Sequence, residues 1–114
     1  VLSGKYRNGT PADSRAATAH FATFVTPYLN DRSRSIVDAV CTAAQGLGLS
    51  PIEVALAWVN ARPQVASTIV GARTAAQLRG VIQAFDAVLP SEIHTALDEV
   101  SAIERGYPDF GWNQ

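Results

Sequence analysis

The chain has 114 residues, 47% of them hydrophobic and 17% charged, enough apolar side chain to bury a core and too much for a disordered tail. Its formal net charge of −1 gives no bulk attraction to nucleic acid or to an anionic membrane surface, and no apolar run approaches the roughly 20 residues of a membrane-spanning helix. The single cysteine excludes an internal disulfide and suits a reducing cytoplasm. The length is that of one domain at most. There is no methionine, and Val1-Leu2 opens on apolar residues without a cap or leader, so the expectation is a piece that begins inside a larger pattern.

In chain order, residues 3–30 carry Gly4, Gly9, Pro11, Pro27, Asn8 and Asn30 among several Ser and Thr, which is loop chemistry over a long stretch. Loops of that length are functional more often than they are simple connectors. A short helical piece is expected around Ala16–Phe24. Over Asp31–Gln45, Ile36, Val40, Ala43, Ala44 and Leu47 recur at helical spacing. Asn30 or Asp31 is placed to cap this helix, and Gly46 and Gly48 fit its end. Ser50-Pro51-Ile52-Glu53 is a complete helix-start signal. The helix it opens is predicted to run to about Arg62, where Pro63 disfavours continuation. Its residues are apolar almost all round, which predicts a helix wedged between other elements. A short buried strand is predicted over Ser67–Val70, then a helix over 75–85 with Leu78, Val81, Ile82 and Phe85 on one face. A last helix, about Ser91–Ile103, shows Ile93, Leu97 and Val100. The tail Arg105–Gln114 carries Tyr107, Phe110 and Trp112, aromatics suited to docking on a surface.

The run Ser67-Thr68-Ile69-Val70-Gly71-Ala72-Arg73-Thr74-Ala75-Ala76-Gln77-Leu78 carries the most chemistry. It predicts a strand that delivers a glycine turn onto a helix N-terminus. Thr74 is placed to cap, and Gln77 to reach back to the cap's own N–H. First-turn amides lack intrahelical partners and the helix dipole favours negative charge there, so such a turn holds anions. Arg73 adds a planar, permanently charged fork suited to phosphate. The expected ligand group is a phosphate, that of a nucleotide before others. A fully apolar strand requires neighbours on both edges and faces. Only a stretch near Val1-Leu2 could supply a second strand here, so the helices read as the outer layer of a parallel sheet.

These residues resemble the aldo-keto reductases, a (β/α)8 barrel family. Leu2-Ser3-Gly4-Lys5-Tyr6 is similar to the family's segment after the seventh strand. Val54-Ala55-Leu56-Ala57-Trp58-Val59, with Arg62-Pro63 and Val65-Ala66-Ser67, is similar to its passage from helix to eighth strand. Ile69-Val70-Gly71-Ala72-Arg73-Thr74 with Gln77-Leu78 is similar to its eighth-strand cofactor motif. The resemblance implies an α/β fold, the C-terminal fragment of a (β/α)8 barrel, mostly helical with one or two short parallel strands. Residues 1–30 would be a phosphate-covering loop, and 31–114 the last helices, the eighth strand and the tail. It implies NADP(H) as cofactor, with Gly71, Arg73, Thr74 and Gln77 at the adenosine 2′-phosphate and Ser3, Gly4, Lys5 and Arg15 along the covering loop. Two basic groups on a Gly/Pro loop suit closing over phosphates and opening for release. Where many relatives carry Glu-Asn near the adenine, this chain has Gly80-Val81. The family's catalytic Asp, Tyr, Lys and His belong to earlier segments of the barrel, so no catalytic residue is assigned here.

The remaining polar residues read as structural. Cys41 is a small core residue on its helix. His20 and His94 have no second ligand at metal spacing. Trp58 is a core residue, and Glu92, Asp98, Glu99 and Glu104 form a solvated face. Two functions are expected in competition. One is the cofactor-binding portion of an NADP(H)-dependent reductase of small aldehydes or ketones, inactive on its own. The other is a non-catalytic remnant, a helical interaction protein or nucleotide binder, self-associating through exposed apolar surface.

Overall fold

In the computed structural model, the described residues are 2–6, 8–9, 11–12, 17, 22–23 and 25–103. After a 3₁₀ turn at Thr26–Tyr28 come four α-helices: α1 (Asp31–Leu47), α2 (Pro51–Asn60), α3 (Ala75–Gln83) and α4 (Ser91–Ser101). A second 3₁₀ turn, Ala84–Asp86, extends α3. The helix expected at Ala16–Phe24 falls largely outside the described residues.

Local chemistry accounts for both ends of α1 and the start of α2. Asn30 caps α1 by accepting the Ser33 N–H at 2.8 Å. The helix ends where Gly48 turns left-handed at φ 67°. There the Leu49 N–H reaches back to the Ala44 carbonyl at 3.0 Å, closing the chain reversal that glycine permits without a Cβ clash. Ser50 then starts α2 with a reciprocal capping box. Its hydroxyl accepts the Glu53 N–H at 3.3 Å, and the Glu53 carboxylate takes the Ser50 N–H at 2.7 Å and its O–H at 2.6 Å. Axes of α1 and α2 meet at 102°. Among the described residues, no single helix is long and apolar enough to cross a membrane.

The core forms where α1, α2 and α4 converge. Val40 and Ala44 of α1, Val54 and Ala57 of α2, Leu97 of α4 and Leu89 from the connector are buried together. Val54 has no exposed surface at all. Helix α2 packs against α1, α3 and the Ala84–Asp86 turn, and α4 packs on α1, so the helix expected to be wedged lies at the centre. Arg32, on the first turn of α1, donates to the Ser101 and Ala102 carbonyls, both at 3.0 Å. A cation there satisfies the end carbonyls of α4 and complements its dipole.

Three expectations are corrected. Ser67–Val70 is irregular rather than a strand, and Ile69 is 98% exposed. A strand exists through ladder hydrogen bonds to a neighbour, and among the described residues none pairs with it. Leu2, expected near a second strand, lies in a turn. The apolar residues of α3 do not share one fate. Val81 is buried against the core, whereas Leu78, Ile82 and Phe85 remain about half exposed, because α2 covers only one side of the helix. Asp98 stays exposed, as a solvated face predicts, but it also has partners. It accepts from Trp58 Nε1 at 2.8 Å and from Arg62 Nη1 at 3.1 Å, and also pairs with Arg62 Nη2. The Arg62 guanidinium lies 4.1 Å from the centroid of the Trp58 ring.

Two carboxylates sense this structure. The side-chain hydrogen bond from Ser50, reinforced by its backbone N–H, holds Glu53 below the usual carboxylate range. The Arg62 hydrogen bond, with Trp58 assisting, does the same for Asp98. A depressed folded-state pKa means that the unfolded chain binds more protons. Each group therefore stabilises the fold above its unfolded value, about 4, and that contribution is lost as pH falls through the folded value. Denaturation midpoints measured down a pH series are expected to drop below about pH 4. The drop should be smaller in Glu53→Gln and in Asp98→Asn.

Candidate functional site

The turn leading into α3 is tied at both sides. Upstream, the Thr68 hydroxyl donates to Asn60 Oδ1 at 2.5 Å, pinning the irregular segment to the end of α2. Downstream, the Thr74 hydroxyl accepts the Gln77 N–H at 3.2 Å, and the Leu78 N–H donates to the Thr74 carbonyl at 3.1 Å. Gln77 reaches back, but its Oε1 takes the N–H of Arg73 at 2.8 Å and not that of Thr74. The reason lies in the cap's torsion. Thr74 has φ −133° where Ser50 has −79°, which swings the preceding peptide so that the Arg73 amide faces the glutamine.

The consequence is a doubly clamped corner. Thr74 holds Gln77's backbone while Gln77's side chain holds Arg73's backbone. Gly71, Ala72, Arg73 and Thr74 are all exposed. The amides of Ala75 and Ala76, at the first two positions of α3, belong to the set that helix geometry leaves without an intrahelical acceptor. Arg73 thus stands at the positive end of a nine-residue helix, on a backbone whose conformation is set by two hydrogen bonds. That arrangement suits a phosphate approaching from solvent.

Of the second group, Ser3 and Lys5 are exposed and Gly4 is half-buried at φ 76°. Gly4 lies against Cys41 of α1 and Pro51 of α2. Lys5 Nζ sits 5.2 Å from the centroid of its neighbour Tyr6. Arg15 lies outside the described residues. The two groups are therefore seated differently, Ser3–Lys5 on the α1–α2 elbow and Gly71–Gln77 at the head of α3. No cluster of three or more His, Cys, Asp or Glu that could hold a metal occurs among the described residues.

Sequence reasoning missed two tethers. The first is the Trp58–Arg62–Asp98 cluster. Its signal was the four-residue spacing of Trp58 and Arg62, which puts a cation beside an indole on one helix face. The second is Asn60 with Thr68, which has no local signature, since the pairing depends on how the chain turns back after α2.

Comparison with known proteins bears on what this turn serves. Residues 1–102 match the Aldo/keto reductase family. A probable voltage-gated potassium channel subunit beta from Oryza sativa subsp. japonica is 33% identical over 109 residues, covering 95% of this chain and 33% of that protein. The protein tas of Escherichia coli (strain K12) is 36% identical over 108 residues, covering 94% of this chain and 30% of the relative. An uncharacterized oxidoreductase, YrpG of Bacillus subtilis (strain 168), is 32% identical over 99 residues. The chain belongs to the aldo/keto reductase family, whose fold is the (β/α)8 barrel. It spans about a third of the length of the curated relatives it matches.

The clamp can be tested without a ligand. Thr74→Ala is expected to destabilise α3 by about 1 kcal/mol. Gln77→Ala should leave the helix cap in place and speed hydrogen exchange at the Arg73 amide. Amide exchange resolved by NMR measures both, and unchanged protection of Arg73 in Gln77→Ala would remove the clamp.

Proposed function

We propose that this chain is the cofactor-holding C-terminal portion of an NADP(H)-dependent aldo/keto reductase, the complete barrel transferring hydride from the nicotinamide to a small aldehyde or ketone. The observation that carries this reading is the clamped corner at Arg73–Gln77. The adenosine 2′-phosphate would lie at the N-terminus of α3, where the Arg73 guanidinium, the Thr74 hydroxyl and the first-turn amides converge. Ser3, Gly4 and Lys5, with Arg15 further along the loop, would lie over the pyrophosphate. Family membership and the collinear match to residues 1–102 support the same assignment. A cytoplasmic setting, in keeping with a lone reduced cysteine, belongs to the proposal.

This portion binds and orients, and the proton chemistry belongs to the rest of the barrel. A carbonyl oxygen gaining a hydride needs a proton donor and electrostatic stabilisation of its developing charge. None of the residues assigned to this site is placed to supply either. The isolated 114-residue chain is accordingly expected to show no NADPH consumption with a generic aldehyde. Turnover dependent on this chain alone would refute the division of labour.

In the complete protein, Arg73→Ala is expected to weaken NADPH binding while leaving NADH nearly unchanged, since NADH has no phosphate at that position. A charge-assisted contact of this type is worth roughly 1.5–3 kcal/mol, about tenfold to a hundredfold in affinity. Fluorescence titration with both cofactors reads the difference. Equal weakening of both would move Arg73 away from the 2′-phosphate.

A further inference from the structure

The glycines of the described fold differ in what a side chain would meet. Gly9 has φ 122°, but a Cβ there would find nothing within 4 Å. Gly46, Gly48, Gly71 and Gly80 likewise face open space. Gly4 alone among the described glycines faces a close neighbour. A Cβ built on it would lie 3.1 Å from Cys41 Sγ and 4.0 Å from Pro51 Cγ. The first distance is shorter than ordinary carbon contacts, about 3.5–4.0 Å, and sulfur is larger than carbon. Glycine at position 4 is favoured by its φ of 76°, and a Cβ there would also press on the thiol, which would have to give by a few tenths of an ångström. Cys41 is 7% exposed, and part of what covers it is this loop.

We propose that Cys41 is a positioning residue for the segment Ser3-Gly4-Lys5. Its thiol is the seat on which Gly4 rests, and its volume sets how the segment lies over the cofactor. The inference rests on the cofactor reading above for its ligand, but the seat is a property of the fold alone. Cysteine suits the position because it is small, apolar and polarizable. Alanine at 41 would leave a gap beneath Gly4, whereas leucine would lift the backbone it supports. The neighbouring residues make such a lift consequential, since Ser3 and Lys5 are the exposed polar groups on either side of the contact. A shift of Gly4 moves both together, away from whatever phosphate they meet.

The test uses the complete protein with two independent readouts. Hydrogen-exchange mass spectrometry follows residues 2–6 without cofactor, and titration follows NADPH and NADH. Cys41→Ser puts a smaller, shorter-bonded oxygen beneath Gly4 and is expected to raise exchange over 2–6 slightly, by less than Cys41→Leu. Cys41→Leu is expected to raise exchange over 2–6 and to weaken NADPH and NADH together by about tenfold, because the covering loop meets the pyrophosphate they share. Equal loss of both cofactors separates this effect from that of Arg73→Ala. Gly4→Ala probes the same contact from the loop side, without risk to α1, and should reproduce the leucine variant. Adding Cys41→Ala to it should restore part of the loss, because removing the sulfur makes room for the new methyl group.

Unchanged exchange over 2–6 in both Cys41→Leu and Gly4→Ala would overturn the seat. Raised exchange with unchanged affinity would overturn the positioning role, with NADPH binding by the wild type intact. A wild type that binds neither cofactor would overturn the reading of the site, and the positioning role with it, whatever the exchange data show.

Discussion

Val54 sits at the middle of α2 with no surface exposed, and the helix around it is held at both ends by side-chain chemistry. At its start, Ser50 and Glu53 satisfy each other's backbone and side-chain groups. At its end, Trp58 and Arg62 share the carboxylate of Asp98 from α4. The remaining helices take their places from this one. Helix α1 meets it across the Gly48 elbow, α3 covers a second side, and α4 is drawn in by Asp98 and by Leu97 in the core. A helix that is apolar almost all round has no solvent face to choose, so its neighbours must enclose it.

The same packing leaves a row of apolar residues unclaimed. Ile69, Leu78, Ile82, Phe85 and Val88 are exposed by between 48% and 98%. Single exposed apolar residues are ordinary on a protein surface, but several along one stretch of chain form a patch that water disfavours. In a (β/α)8 barrel, a helix following a strand rests one face on the sheet. The chain covers about a third of its relatives' length, and the patch lies on the elements that the family resemblance assigns to the barrel's eighth unit.

The two candidate groups illustrate different ways of building a binding loop. At Gly71–Gln77 the backbone is fixed locally, by hydrogen bonds spanning three and four residues. The corner is defined wherever α3 forms. At Ser3–Lys5, Gly4 instead faces side chains distant in sequence, Cys41 of α1 and Pro51 of α2. A loop seated in this way can lift without disturbing a helix, as the proposed cofactor cover would need to do.

Much of this was legible in the residues alone. Asn30, Ser50, Glu53, Gly48 and Thr74 mark helix ends because capping is decided within four residues of chain, and the pattern survives in any tertiary setting. Family membership was readable for a similar reason, since collinear short motifs are a property of sequence. The burial of Val54, Leu97 and Cys41 followed from periodicity. What the sequence could not settle were matters decided between distant segments. Asp98 reads as a solvated acid and stays exposed, but its partners Trp58 and Arg62, some forty residues away in the chain, come to it only when α4 packs. Ser67–Val70 reads as a strand, yet strand formation depends on a neighbour and not on composition. Gln77 was predicted to reach Thr74 and reaches Arg73, because the torsion at the cap chooses which amide faces it. Gly4 was visible as a loop glycine, but its contact with Cys41 belongs to the tertiary structure, where the loop and the helix first meet.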